Sequence, residues 1–159
     1  MSEIIIRRAE DKDLIRVNEL LHQVLHIHAE IRPDIFIDGT TKYTDEELLS
    51  MFRNDNAPIF VAEADGTVAG YAFTILKKRL HNTNMQDIKT LFIDDLCVDE
   101  AYRSHHVGNA LLKYVENYAR SIGCYNITLN VWAGNDKAIG FYEHEGMQVQ
   151  ETVMEKILK

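Results

Sequence analysis

Residues 90–132 read TLFIDDLCVDEAYRSHHVGNALLKYVENYARSIGCYNITLNVW, and this stretch decides the architecture. Residues 90–98 are rich in β-formers. A period of two puts Phe92, Asp94, Leu96 and Val98 on one face of a strand and Asp95 on the other. From Val107, the residues Leu111, Tyr114, Val115, Tyr118 and Ile122 fall on one apolar stripe of a helix, which Gly123 closes as a C′ residue. Tyr125, Ile127, Leu129 and Val131 then alternate over a second strand, 125–132. Strand, helix and strand within about 40 residues form a βαβ unit, whose parallel strands require a right-handed crossover.

Working outward towards the N-terminus, residues 59–64 and 67–77 are β-rich and flank Asp65-Gly66. That pair accepts the positive φ angles of a two-residue type I′ hairpin. Thr44-Asp45-Glu46-Glu47 is a capping box that opens a short helix ending near Arg53. Asp11 is placed to cap an earlier helix, in which Leu14, Val17, Leu21 and Val24 recur at helical spacing as far as about Ala29. Residues 4–8 form a first short strand. Towards the C-terminus, Asn135 caps one more short helix, closed by Gly146, and an apolar alternating tail runs from 147 to 158. The class is α/β with a mixed sheet, part antiparallel hairpin and part parallel. No linker, charge block or repeat divides residues 1–159, so the reading is a single domain.

The 159 residues (18.3 kDa) are 46% hydrophobic and 26% charged. A chain of this size buries roughly 69% of its unfolded surface, enough for a core without metal or disulfide scaffolding. Lys and Arg number 17 against 25 Asp and Glu, a net charge of −8. That sign disfavours nucleic acid and favours cationic ligands. Cys97 and Cys124 match neither a disulfide framework nor a zinc ribbon and read as reduced, buried thiols. No run approaches the ~18 apolar residues of a membrane span, and the start carries no signal-like core, so no membrane partner and a cytoplasmic location are expected.

Chemistry concentrates in residues 94–110. Here a strand enters an Arg-bearing turn and a helix begins within a few residues, so free amides and the positive end of a helix dipole converge on one spot, a natural anion site. The motif Leu96-x-Val98-x4-Arg103-x4-Gly108, followed by Asn135-x2-Ala138-x2-Phe141-Tyr142-x3-Gly146, resembles the GNAT superfamily of acyl-CoA-dependent N-acetyltransferases. The resemblance extends over most of the chain. It implies a GNAT-type mixed, mostly antiparallel twisted sheet with a central βαβ unit, about four helices and a C-terminal strand pair. It also implies acetyl-CoA as cosubstrate, with no metal.

Carried over residue by residue, the resemblance assigns the coenzyme A pyrophosphate loop to Arg103, Ser104, His105, His106, Val107, Gly108 and Asn109. His106 stands where the family has its first Gly, and Ser104 where another Gly is frequent. Leu96, Cys97 and Val98 would offer main-chain bonds to the pantetheine arm, a form of strand augmentation. A main-chain N–H near Val98 would polarise the thioester carbonyl. Asn135 would contact the cofactor while capping its helix; a cap alone is the plainer role. Asp94 aligns with the glutamate of polyamine-acetylating relatives and is the candidate base; a structural acceptor is the alternative. Tyr142 is the candidate acid for the departing thiolate, and it also shares a helix face with Ala138 and Ile139. No Cys-His motif implies a covalent intermediate, so direct attack by the amine is expected.

His22, His26 and His28 suggest metal at first sight, but His28 falls roughly 160° from His26 around the helix, so three ligands do not converge. In this family the first two helices border the acceptor pocket, and His26 and Glu30 are therefore read as substrate-binding together with Asp94. Arg32 and Asp34 follow in the same region without a motif. The expected function is acetyl transfer to a primary amine, the acceptor being a small cationic amine. A catalytically silent acyl-CoA-binding module of the same fold is the rival. The alternating tail offers an edge for a homodimer.

Overall fold

The computed structural model describes residues 3–159. Five strands lie in sequence order: β1 (Ile4–Arg8), β2 (Ile59–Ala64), β3 (Thr67–Arg79), β4 (Ile88–Val98) and β5 (Asn126–Leu129). The first four pair antiparallel and β4–β5 is parallel, as the βαβ unit requires. Four α-helices accompany them: α1 (Leu14–Ile31), α2 (Asp45–Phe52), α3 (Val107–Ser121) and α4 (Asp136–His144). This is the expected mixed, mostly antiparallel α/β sheet.

Both faces of the sheet are covered. Phe60, Ala62, Leu91 and Ile93 pack under Val107, Leu111, Leu112 and Val115 of α3. On the other face Val61, Tyr71, Phe73 and Cys97 meet Val17 and Leu20 of α1 and Leu48 and Phe52 of α2. Burying each large apolar side chain contributes about 2 kcal/mol, and alternate residues of β2 do so on opposite faces. The hairpin turn is as expected, with φ of 53° at Asp65 and 76° at Gly66. Thr44 Oγ1 accepts from the Glu47 amide and Glu47 from the Thr44 amide, the reciprocal cap that starts α2.

Four local expectations are corrected. The first helix is not capped by Asp11. A 3-10 turn (Asp11–Asp13) precedes α1, and its cap is a reciprocal pair between Glu10 and Asp13. Asp13 is buried because it also accepts two bonds from Arg7, at 2.8 and 2.9 Å. The second correction concerns β4. Phe73 faces Asp95 and Thr74 faces Ile93, so Asp94 is the extra residue of a β-bulge. The period of two therefore breaks at Asp94. Leu96 and Val98 share a face with Leu91 and Ile93 towards α3, while Asp95 and Cys97 turn towards α1. Asp94 and Asp95 thus end on the same side of the sheet.

The third concerns β5, which is shorter than 125–132. Its ladder with β4 ends at Ile93–Leu129, one residue before the bulge, whose added twist turns β4 away. Finally, residues 147–159 form no strand pair. Val149, Val153, Met154 and Leu158 stand exposed, and the tail is tied down by Glu155, whose carboxylate accepts from Arg32 at 2.7 Å. Alternation supplies a strand's side-chain pattern but no main-chain partner, and the short β5 provides little edge to pair with.

Candidate active site

The turn after β4 is shaped by backbone rather than by side chains. Asp99 caps the short 3-10 turn Glu100–Tyr102 through the Ala101 amide and is held by Arg16 at 2.5 Å. Ser104 and His106 then adopt φ of 71° and 65°, the left-handed region that favours glycine. At these two positions the resemblance leads one to expect glycine, so the loop keeps the glycine conformation with other residues. His106 enters α3 with no side-chain cap and no acidic residue follows in the first turn. Ala110 is the first amide to bond back, to the His106 carbonyl. The amides of Val107, Gly108 and Asn109 therefore open towards one spot at the positive end of α3, and Arg103 precedes it.

Gly108 sits in close packing. A Cβ there would lie 3.3 Å from Phe141 of α4 and 3.6 Å from Val98. Asn109 uses its side-chain amide to reach Glu145 at 2.7 Å, fastening α3 to the end of α4 and leaving its main-chain amide to the anion spot. Asn135 accepts from the Ala138 amide as the α4 cap. Open amides, a left-handed turn and an adjacent arginine fit a pyrophosphate.

Beyond Ile93, β4 continues to Val98 without a β5 partner, so Leu96, Cys97 and Val98 border a gap in the sheet. Cys97 is buried, its thiol directed at the Leu20 carbonyl, and burial pushes it up to about 12. A thiol so far from ionisation is no nucleophile. Tyr142 lies partly buried at the same gap, raised to about 12 by burial and then by the negative potential of Asp95. It stays protonated throughout the physiological range.

The other side of the gap is acidic. Burial raises the Asp95 carboxyl to about 6; the 2.7 Å hydrogen bond donated by the Tyr71 hydroxyl offsets part of this, and the like charge of Asp94 adds to it. Asp94 is partly exposed, with Lys42 Nζ 3.7 Å away. Tyr71 and Phe73 meet edge to face, and Tyr43 stacks on Phe73, forming an aromatic wall beside the two carboxylates.

His26 and Glu30 stand apart from this wall. His26 bridges Glu30 through Nε2 at 2.9 Å and Asp38 through Nδ1 at 2.7 Å, and these carboxylates hold it more basic than usual. Among the described residues no hydrogen bond or ion pair links that exposed cluster to Asp94. His28 instead packs against Phe36, which meets Trp132 edge to face. Among the described residues no group of three or more His, Cys, Asp or Glu is arranged to hold a metal.

The acetyltransferase (GNAT) family model matches residues 21–147, which takes in the bulged strand, the open α3 terminus and Tyr142. The chain belongs to the GNAT family. Like other members it is an acetyl-CoA-dependent N-acetyltransferase. It is 28% identical over 125 residues to glucosamine 6-phosphate N-acetyltransferase of Arabidopsis thaliana, covering 74% of this chain and 79% of that one. It is 25% identical over 156 residues to an L-amino acid N-acetyltransferase of Escherichia coli, 96% of this chain and 87% of that one. Among solved structures, a mutant of the BH1408 protein of Bacillus halodurans superposes with a TM-score of 0.93 at 29% identity, covering 98% and 99% of the two chains.

Sequence reasoning placed Asp95 on the face opposite Asp94 and passed over Tyr71 and Lys42, which line the same wall. Two adjacent aspartates inside an otherwise apolar strand were the available signal. A regular strand would send one of them into each core, and a bulge avoids that. Lys42 lies in the loop between α1 and α2, where no spacing rule points.

Proposed function

We propose that this GNAT enzyme transfers the acetyl group directly from acetyl-CoA to the amine of a small molecule, with the Asp94–Asp95 pair as proton acceptor and Tyr142 as proton donor. The observation that carries this reading is the bulge, which sets both carboxylates on one side of the gap with one of them raised to about 6. An alkylammonium near pKa 10.4 must lose a proton before it can attack. A carboxylate titrating near 6 is a better acceptor at neutral pH than one near 4, because its pKa lies closer to the working pH. Asp95 is the member whose carboxyl burial raises, and it is therefore the proton acceptor, with Asp94 beside it on the same side of the gap.

In the step itself the amine nitrogen bonds to the thioester carbonyl carbon, the C–S bond breaks, the amine proton passes to the pair, and the Tyr142 hydroxyl protonates the departing sulfur. The main-chain N–H near Val98 supports the carbonyl oxygen. Arg103, Ser104, His105, His106, Val107, Gly108 and Asn109 hold the pyrophosphate, Leu96, Cys97 and Val98 the pantetheine arm, and Asn135 the cofactor side of α4.

The paired carboxylates, in a chain of net charge −8, support an acceptor that presents a protonated amine to the site. The relatives named above act on an amino-sugar phosphate and on amino acids, both small amines. Two free thiols support a reducing compartment, the cytoplasm. The exposed apolar tail supports a homodimer that covers it.

Isothermal titration with acetyl-CoA, CoA and an unrelated adenine nucleotide tests the assignment. One-to-one micromolar binding that needs the pantetheine arm, followed by amine-dependent thiol release, is expected. Binding without release towards any amine would favour the silent acyl-CoA-binding module. No binding at millimolar ligand would overturn the pyrophosphate assignment.

A further inference from the structure

The acceptor side of the site carries a cation of its own, and this restricts what fits there. Lys42 comes from the loop between α1 and α2 and places its ammonium 3.7 Å from Asp94 and over the ring of Tyr43, 5.3 Å from its centroid. Tyr43 is in turn stacked on Phe73, and Phe73 meets edge to face Tyr71, the residue that donates to Asp95. One wall therefore carries, in order, an ammonium, an aromatic surface and two carboxylates. Against its own partial desolvation, Lys42 is kept charged by Asp94 and Asp95, while burial, and then the charge of Lys42, hold the neighbouring His28 below its usual value.

A pocket built for a diamine or a polyamine would leave both carboxylates to the ligand. Here one of them already has a positive partner from the protein. An acceptor that brings only positive charge must either displace Lys42 from Asp94, giving up that ion pair, or sit beside it and be repelled. An acceptor that brings an anion as well as an amine meets neither difficulty. Its ammonium replaces Lys42 at the aspartates, and its anion takes Lys42 as a new partner.

From this arrangement we propose that the acceptor is a small zwitterion, an amine with a carboxylate or phosphate on the same molecule, and that Lys42 is the residue that reads the anion. This rests on the acetyltransferase assignment above and adds the acceptor's second charge to it. Carboxylate and phosphate share the chemistry that Lys42 recognises, and a paired panel separates them.

The test compares kcat/KM for L-phenylalanine against phenethylamine, and for glucosamine 6-phosphate against glucosamine, with putrescine as the purely cationic arm. In the wild-type protein at least one anion-bearing member should exceed its anion-free partner by about tenfold or more. The pair that does so identifies carboxylate or phosphate. Lys42→Met should bring that ratio close to one and improve putrescine relative to the zwitterion, whereas Lys42→Arg should keep the preference. A structural role for Lys42 would lower all substrates together and leave the ratio standing.

Wild-type preference for the anion-free member of both pairs, or for putrescine over every anion-bearing amine, would overturn the proposal, as would a ratio untouched in Lys42→Met. The same ligands titrated calorimetrically in the presence of CoA give a readout independent of turnover. Zwitterion binding that Lys42→Met abolishes, in a protein that releases no thiol, would sustain the zwitterion site and overturn the catalytic reading instead. Equal binding of both members of each pair, or of neither, would overturn the zwitterion site.

Discussion

At the residue scale the site depends on two groups held away from their ordinary ionisation. Asp95 has a folded-state value of about 6, above its unfolded value near 3.9, so it binds its proton more tightly in the native protein. Its contribution to stability is complete below the unfolded value and is lost as pH rises through about 6. Asp95→Asn should therefore raise the denaturant midpoint at pH 7, on the order of 2 kcal/mol, and flatten the pH dependence of stability between about 4 and 7. The same variant should lose the acidic limb of the kcat/KM profile near pH 6, with activity down at least about 100-fold. A profile that keeps its limb would exclude Asp95. Tyr142 has the opposite assignment: raised to about 12, it keeps its proton for the leaving sulfur. Tyr142→Phe should cut kcat by about 10- to 100-fold while the calorimetric acetyl-CoA affinity changes little.

At the element scale the informative features are departures from regularity. Ser104 and His106 occupy the left-handed region at a penalty of about 1 kcal/mol each relative to glycine. His106→Gly should stabilise the protein by up to about 0.5 kcal/mol in urea unfolding, the relief of strain being partly offset by the freer unfolded chain. Its effect on acetyl-CoA affinity separates backbone from side chain. Unchanged or tighter binding would mean that the amide alone serves the phosphate, and weaker binding would mean that the imidazole contributes.

The sequence was most legible where local chemistry has one solution: the Asp65-Gly66 turn, the Thr44 capping box, the helical stripe of α3 and the α4 cap at Asn135. It was least legible in β4, because an alternating pattern presumes a register and carries no mark of the residue that breaks it. Asp94 was therefore assigned to the face of Leu96 and Val98, and the bulge that brings it to the side of Asp95 left no trace in the pattern. Lys42 was invisible for a different reason. Its position is set by how the loop after α1 folds back over β3 and β4, which depends on tertiary packing and not on neighbours in sequence.

At the scale of the whole molecule, stability is unevenly distributed. Among the described residues, burial is concentrated before residue 120 and none after Ala119 is buried. The N-terminal strand is fixed to the first helix by Arg7, whose guanidinium makes two bonds to the buried Asp13 and a longer one to Glu63 at 3.5 Å. Burial alone would raise Asp13, but the hydrogen bonds from Arg7 and from the Glu10 amide, with the Arg7 charge, hold it below its usual value. This contribution is present above the unfolded carboxylate range and lost as pH falls. Arg7→Met leaves that charge buried without its partner and should destabilise the protein by about 3 kcal/mol, measured by thermal or urea unfolding at pH 7. In acid, below about pH 3, the difference between the two proteins should shrink.

The break in the sheet after Ile93 and Leu129 has a consequence for the order of events in turnover. Main-chain groups along residues 94–98 have no strand partner on that side, and they border the gap at which Tyr142 lies. A thioester arm that completes the sheet would also wall off one flank of the amine's pocket, so the amine finds its finished site after acetyl-CoA has bound. Initial-rate plots should then intersect, and CoA should inhibit competitively against acetyl-CoA but not against the amine. A parallel pattern would instead require an acetylated protein, for which this fold supplies no ionised thiol.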